Sequence, residues 1–462
     1  MFELPQAHTI IEPFKIKVVE PIPMPTLKER RHALAAAHYN LFNLHSSVVT
    51  FDLLTDSGTA AMSAEQWAAV MRGDESYAGS RSYERFEAAV QDVTGLPFVI
   101  PTHQGRSAEF LLMRAMLRPG QLVLGNTHFD TTRANVEGAG AVAVDLPSPA
   151  TKDTAALHPF KGDIDLEALE RTLTKEKGKV ALVILTVTNN SVGGQPASLA
   201  NARAASESCR RHGVPFFLDC ARFAENCWFI KQREAGQRER PVALIARDLF
   251  QVADGALMSM KKDAFGNIGG FLALRNRGLA EAVRSLMVVT EGFPTYGGLA
   301  GRDLDALAVG LKEVLDEHYL AYRVRSVEYF GQGLEQAGLP TVKPWGGHAV
   351  YVDAARALPH VKPLQYPGQS LAVALYEHIG IRGVEVGSVM LGTRNPKTGE
   401  ESPAPGELVR LAMPRRVYTQ SHVDCMVELA GHLVPHLPEL KGYEITWQPD
   451  VLRHFTCRFK PL

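Results

Sequence analysis

The sequence predicts an α/β fold: a mostly parallel sheet of about seven strands with helices on both faces, and a smaller α+β domain beside it. Two observations carry the prediction. From about residue 57 to 310 the chain alternates short β-rich runs with amphipathic helical stretches. The β-rich runs are apolar throughout instead of alternating with polar residues, which is the pattern of strands covered on both faces.

Taken in order, Ser63-Ala-Glu-Gln66 has the spacing of a capping box and predicts a helix through Trp67 and Val70. Helical SYERFEAAVQDVTG leads to the apolar run FVIPT at 98–102, then to helical RSAEFLLMRAML, stopped by Pro119-Gly120. Strand-like QLVLGN (121–126) and AVAVDLP (141–147) follow. The helix at 165–178 precedes VALVILTVT (180–188), the most apolar run in the chain. Helical ANARAASESCRRHG closes at Gly213, before VPFFLD (214–219), DGALMSM (254–260) and GGFLALR (269–275). Beyond 310 the texture changes. One long helical pattern at 305–338 is followed by strands HAVYVDA and LVRLAMP, with a loop rich in Gly, Pro and Asn at 392–406. The expected domains are an N-terminal arm, 1–56, contributing to the small domain; a large domain, 57–310; and a small C-terminal domain, 311–462. The arm is proline-rich and holds a basic amphipathic stretch at 27–42. No internal repeat or low-complexity tract is visible.

Composition narrows the function. Of 462 residues, 45% are hydrophobic and 21% charged, which excludes disordered and fibrous classes. A formal charge of −1, from 49 basic and 50 acidic residues, provides no general field for nucleic acid or an anionic membrane. No apolar stretch reaches the ~20 residues of a spanning helix. Glu3 and Glu12 stand where a signal peptide would be basic or apolar. Five cysteines without CxxC pairing argue for a reducing cytoplasm and against a disulfide scaffold or zinc site. An enzyme acting on a small molecule is expected.

In an open parallel sheet, ligands bind beyond the carboxyl ends of the strands, so unusual residues there are the candidates. FVIPT runs into His103-Gln104-Gly105-Arg106-Ser107 at a helix start, where backbone N–H groups and the helix dipole suit a phosphate; the segment also reads as an ordinary strand-to-helix turn. QLVLGN runs into Phe129-Asp130, and VILTVT into Asn189-Asn190. Asp219 ends an apolar strand, with either a cationic ligand or Arg222 as its partner. Lys261-Lys262 follows Ser259 between an apolar strand and Asn-Ile-Gly-Gly, where solvated lysines are not expected; a lysine of depressed pKa forms imines with carbonyls. No GxGxxG or GxxxxGK[ST] occurs at these ends. A phosphate cup, a ring-stacking Phe129, a carboxylate for a pyridinium nitrogen and an imine-forming lysine are together the parts that pyridoxal phosphate requires.

With these residues in view, the chain resembles the tryptophanase and tyrosine phenol-lyase family of β-eliminating lyases, fold-type-I pyridoxal-phosphate enzymes. The likeness runs nearly full length through DLLTDSGTAAMS, GDESYAGSRSY, IPTHQGRSAE, NNSVGGQP, FLDCARFAEN, MSMKKDAFGNIGGF and PRRVYTQSH. The resemblance implies that Lys262 holds the cofactor and later moves the Cα proton. It implies that Gln104, Gly105, Arg106 and Ser259 bind the phosphate beside Lys261, that Phe129 stacks on the ring, that Asp219 faces its nitrogen, and that Arg222 and Asn190 lie around it. Arg410, Asn190 and Thr55 would grip the substrate carboxylate, with Phe42 and Val386 at the substrate ring. Tyr77 would be a general acid reaching in from a neighbouring subunit; by itself it also reads as a packed tyrosine, and Arg410 as a structural ion pair. Gly58, Glu75 and Asn267 match a potassium site at a subunit interface, although a surface salt bridge accounts for Glu75 equally well. The family further implies a homo-oligomer, a tetramer with active sites shared between subunits.

Three positions point to tryptophan over tyrosine. Val384-Glu385-Val386-Gly387 places an apolar residue where the phenol-cleaving branch resembles itself in an arginine, and a buried arginine facing indole would be unpaired. Asp130 stands where that branch carries threonine and can accept from the indole N–H. His454 stands where it carries phenylalanine. In contrast, Pro414-Arg415-Arg416-Val417 and the NIGG at 267–270 read at least as much like the phenol branch. The expected reaction is L-tryptophan and water to indole, pyruvate and ammonia, with Lys262, Tyr77, Asp130 and His454 as the catalytic set. The alternatives are phenol release from tyrosine, or another aminotransferase or lyase of the same fold.

Overall fold

The computed structural model describes Thr9, residues 11–394 and residues 398–462. The first residues of the arm, Glu3 among them, and residues 395–397 of the expected loop at 392–406 lie outside the described residues. The chain divides into two compact units. The large one is 57–321 with 415–417; the small one takes the chain up to Asp56, 322–414 and 418–462.

Two N-terminal elements, α1 (Leu27–Ala36) and β1 (Phe51–Asp52), belong to the small unit. The large unit opens with α2 (Ala64–Arg72). Ser63 Oγ accepts from Gln66 N at 3.0 Å and Gln66 Oε1 accepts from Ser63 N at 3.2 Å, the reciprocal cap that the sequence spacing predicts. Helix α3 (Arg81–Thr94) ends at Gly95 with φ +68°, and strand β2 (Phe98–Thr102) leads into α4 (Gly105–Met116). Next come β3 (Leu122–Gly125), α5 (Asp130–Gly138), β4 (Val142–Asp145), α6 (Leu166–Lys175) and β5 (Val180–Thr186). They are followed by α7 (Leu199–His212), β6 (Phe216–Asp219), α8 (Phe223–Arg233), α9 (Val242–Gln251), β7 (Gly255–Ser259), β8 (Gly270–Leu274), α10 (Arg277–Thr290) and α11 (Gly301–Glu313).

Among the described residues the strands form one seven-stranded sheet of order β2-β8-β7-β6-β5-β3-β4. Strand β8 runs antiparallel to both neighbours and the pairs from β7 to β4 are parallel. Every strand except β8 therefore points the same way, and their carboxyl ends gather along one edge. The mostly parallel α/β sheet expected from the apolar runs is present. On one face Ile100, Val123, Leu182, Ile184, Phe217, Leu257 and Leu272 pack with Leu111, Leu112, Val136 and Val283 of the helices, and the strand residues that alternate with them, Leu124, Val183, Leu185, Leu218 and Met258, are buried as well.

The continuous helical pattern at 305–338 is broken in the structure. Asp316 Oδ1 accepts from Tyr319 N at 2.8 Å, a cap that starts α12 (Glu317–Gln336) afresh after α11. The small unit continues with β9 (Ala349–Asp353), the short α13 (Ala354–Ala357), α14 (Pro367–Ile379), β10 (Ile381–Arg382), β11 (Val384–Val386), β12 (Thr393–Arg394), β13 (Glu401–Ser402), β14 (Leu408–Ala412) and α15 (Gln420–Leu433). Strands β11, β14 and β9 form an antiparallel sheet in that order, and β1 pairs in parallel with β10. Leu53, Val327, Phe330, Val350, Leu371, Leu375, Leu411 and Met426 belong to its apolar core.

Candidate active site

The carboxyl edge of the large sheet collects the chemistry. At the end of β2, Gln104 is the N-cap of α4 in extended conformation, and its side chain makes no cap hydrogen bond. The first N–H groups of a helix have no intrahelical acceptor, so this end is open to an anion. The approach requires glycine: a Cβ on Gly105 would stand 2.7 Å from Ser259 Cβ. Ser259 ends β7 and is buried, and Lys261 Nζ donates to Gln104 Oε1 at 3.4 Å. Burial and then the charge of Arg106 push Lys261 below its ordinary pKa. Gln104, Gly105, Arg106, Ser259 and Lys261 thus share one cationic, amide-rich corner, which fits a phosphate group.

Asp219 ends β6. Desolvation pushes its carboxyl up, and the strongest opposing influence is the charge of Lys262, followed by the Ala221 N–H and Arg222. The predicted lysine and carboxylate therefore interact in this fold. A buried carboxylate of raised pKa needs a cation, and a protonated ring nitrogen would supply one. The large unit's residues fit pyridoxal phosphate. Arg222 is buried, and its carbonyl accepts from Thr188 Oγ1 at 2.9 Å. Thr188 itself has φ +56°, rare for a β-branched residue, at the turn that delivers Asn189 and the buried Asn190. Phe129 is the N-cap of α5 and Asp130 its first residue.

Four acids with buried side chains, none of them conspicuous in the sequence, also belong to this region. Glu109 on α4 accepts from Thr131 Oγ1 (2.8 Å) and Thr132 Oγ1 (2.9 Å); burial, then Asp219, push it up to about 7. Glu225 and Asp263, the latter directly after Lys262, each accept at 2.8 Å from Nη2 of Arg415, and all three side chains are fully buried. Asp263 Oδ2 also accepts from Ala224 N at 2.8 Å, which ties the lysine loop to the start of α8. Glu291, at the end of α10, accepts from His103 and Ser107. The one available signal was a carboxylate inside an otherwise apolar helical face, as in RSAEFLLM.

Other predicted residues sit as follows. Tyr77 is 67% exposed, its ring 5.3 Å from those of Phe293 and Tyr296, and a hydrogen bond with Tyr296 raises its pKa. Gly58 and Asn267 are together, Asn267 Nδ2 donating to Gly58 O at 3.2 Å. Glu75 forms an ion pair with Arg302 instead of meeting that pair.

In the small unit, Arg410 lies on β14, opposite Val384 and Tyr351. It is buried, and its Nη2 donates at 3.1 Å to the carbonyl of Leu54, which immediately precedes Thr55. Val386 is buried at the end of β11, in an apolar cluster with Phe42, Leu54 and Met390 against it. Phe42 also meets His454 (ring centroids 5.9 Å) and Phe455 (4.9 Å) edge-on. Phe42, Val386 and His454 are therefore brought together within this unit. Arg453 anchors the turn after Val386, donating to Ser388 O at 2.6 Å and Val389 O at 2.9 Å.

Residues 52–429 match the β-eliminating lyase family. The chain is 57% identical to a tryptophanase of Hyphomonas neptunium (98% of this chain, 100% of that protein) and 58% identical to one of Salinibacter ruber (98% and 96%). Identity to a tyrosine phenol-lyase of Symbiobacterium thermophilum is 46% (98% of each). In fold it is similar to a serine palmitoyltransferase of Sphingomonas wittichii (TM-score 0.61, 16% identity, 90% of this chain and 97% of that one) and a Leishmania major threonine aldolase (TM-score 0.57, 16% identity, 83% and 99%). With the sheet order, the strand-end residues and these likenesses in agreement, the chain belongs to the β-eliminating lyase family.

Proposed function

We propose that this chain is a pyridoxal-phosphate-dependent carbon–carbon lyase that converts L-tryptophan and water to indole, pyruvate and ammonia. The observation that carries the chemistry is the close approach of Gly105 to Ser259 at the start of α4, on the same strand edge where Asp219 ends β6 within the electrostatic reach of Lys262. The preference for tryptophan over tyrosine rests on the apolar setting of Val386 and on identities of 57–58% to tryptophanases against 46% to a tyrosine phenol-lyase.

When bound, the cofactor supplies an electron-poor ring that accepts the charge released at the substrate Cα. The chain's own residues do the rest. Gln104, Gly105, Arg106, Ser259 and Lys261 would hold the phosphate, Phe129 would stack on the ring, and Asp219 would keep the ring nitrogen protonated. Lys262 would attach the cofactor and, with its amine free, would take the Cα proton. Arg410, Thr55 and Asn190 fix the substrate carboxylate; a guanidinium presents two parallel N–H groups to it. Expelling indole requires a proton at its C3, because a carbanion is a poor leaving group. Tyr77 supplies that proton, Asp130 accepts from the indole N–H, and His454 supports from behind Phe42. Gly58, Asn267 and Glu75 hold potassium when subunits assemble into a cytoplasmic tetramer.

Borohydride reduction followed by peptide mapping tests the attachment, with Lys262 the expected labelled residue. Product analysis tests the substrate. Indole and equimolar ammonia are expected from tryptophan, whereas faster release of phenol from tyrosine, or glutamate formed from 2-oxoglutarate without ammonia, would overturn the assignment.

A further inference from the structure

Glu291 stands at a poor place for a carboxylate. It is the residue that ends α10, where the helix dipole is negative, and its side chain is only 6% exposed. Its acceptors are nonetheless filled by the segment that opens α4. Oε2 takes the His103 N–H at 3.1 Å and the ring Nδ1 of the same histidine, and Oε1 takes Ser107 Oγ. An ionised carboxylate only accepts, so Nδ1 carries its proton toward Glu291, and in the neutral ring Nε2 is left as an acceptor. Gln104 Nε2 lies 2.9 Å from that Nε2 and donates to it. The amide is thereby oriented with its oxygen outward, and Lys261 Nζ meets Oε1 at 3.4 Å.

We infer that Glu291 and His103 are positioning residues for the phosphate cup. Together they hold the Gln104 side chain turned toward Lys261, which keeps that amide off the first N–H groups of α4, those of Gly105 and Arg106; the Ser107 N–H already donates to the Gln104 carbonyl at 3.1 Å. Glutamine as an N-cap could otherwise fold its amide oxygen onto those N–H groups and compete with the phosphate. The relay also explains why the cap residue makes no cap hydrogen bond. The inference rests on the cofactor assignment above, and its test separates the two.

The test compares apoenzyme affinity for pyridoxal 5′-phosphate with that for pyridoxal, which lacks the phosphate. His103→Phe keeps a ring of similar size and removes both nitrogens; His103→Gln returns an acceptor near the position of Nε2; Glu291→Gln removes the charge and keeps the shape. His103→Phe is expected to weaken pyridoxal 5′-phosphate by about tenfold or more, the scale of a lost charge-assisted hydrogen bond. Pyridoxal should change by less than about twofold, and His103→Gln should recover most of the loss. Glu291→Gln should fall between wild type and His103→Phe. Equal losses for both ligands would mean a merely structural role and would overturn the inference, as would His103→Phe binding the phosphate ester like wild type. Failure of the wild-type apoenzyme to bind either aldehyde would instead overturn the cofactor assignment.

Discussion

Gly105 and Asp130 carry the sharpest expectations at the scale of single residues. A methyl group at Gly105 has to displace Ser259, whose Cβ would be 2.7 Å away, and both residues line the phosphate corner. Gly105→Ala should therefore weaken pyridoxal 5′-phosphate by at least about tenfold, because close-packed backbone cannot shift without losing contacts. Titration of the apoenzyme measures it, and wild-type affinity would remove Gly105 from the cup. Asp130→Ala should lower indole release by roughly 10²-fold or more, the usual scale of a general acid–base contribution. Elimination from S-alkylcysteines should survive, since a thiolate leaves without protonation of a ring carbon. Equal losses on both substrates would count against a role at indole. These residues were candidates in the sequence because each follows an apolar run at a strand end, where a glycine opening a helix or a carboxylate is conspicuous. Glu109, Glu225, Asp263, Glu291 and the fully buried Arg415 were not. Charged residues within helical patterns or in turns read as solvent-facing until the packing shows what covers them.

Among the elements, β11 carries Glu385 and the residue just before β14 is Glu407, and the two acids face the same turn at Gly387. Glu385 accepts from Val389 N (2.9 Å) and Met390 N (3.0 Å), and Glu407 from Ser388 N (3.0 Å). A Cβ on Gly387 would lie 2.4 Å from Glu407 Oε2 and 2.7 Å from Glu385 Oε1. Burial, then Glu407, push Glu385 up to about 8 from an ordinary value of 4.5. The folded state then keeps a proton that the unfolded chain releases, so this stability is full below about pH 4.5. It is lost as pH rises toward 8, by up to ~1.4 kcal/mol per pH unit. Glu407→Gln removes the like charge and should reduce the fall in stability between pH 6 and 8 by about 1 kcal/mol. Urea unfolding of wild type and variant at both pH values measures it, and an unchanged difference would contradict the pairing. This turn is also where sequence reading was partial. The apolar Val386 stood out, whereas nothing local to the sequence marks Glu385 beside it as buried. Strand identity and the capping box at Ser63 were read correctly because both are local. The break between α11 and α12 was missed because Asp316 continues the amphipathic pattern while capping the next helix through Tyr319 N.

For the whole molecule, Lys262 and Asp219 belong to the large unit and Arg410, Val386 and His454 to the small one. Tyr77 is two-thirds exposed, on a large unit that also exposes Trp67, Met71, Val288 and Val289. Closed symmetric assemblies exchange equivalent residues between subunits. If Tyr77 serves the site of its neighbour, two inactive variants should complement each other. Tyr77→Phe lacks the proton donor and Lys262→Ala lacks the attachment, so each alone is silent on tryptophan. In a hybrid pair, the Tyr77→Phe chain retains Lys262 and borrows Tyr77 from its partner, giving one complete site of two. Equal mixing after dissociation makes half the pairs hybrid, so activity should return to about a quarter of wild type. A tyrosine acting within its own chain predicts none, because each hybrid site would lack one of the two groups. Indole production from the remixed variants, set against the unmixed ones, decides between the two arrangements.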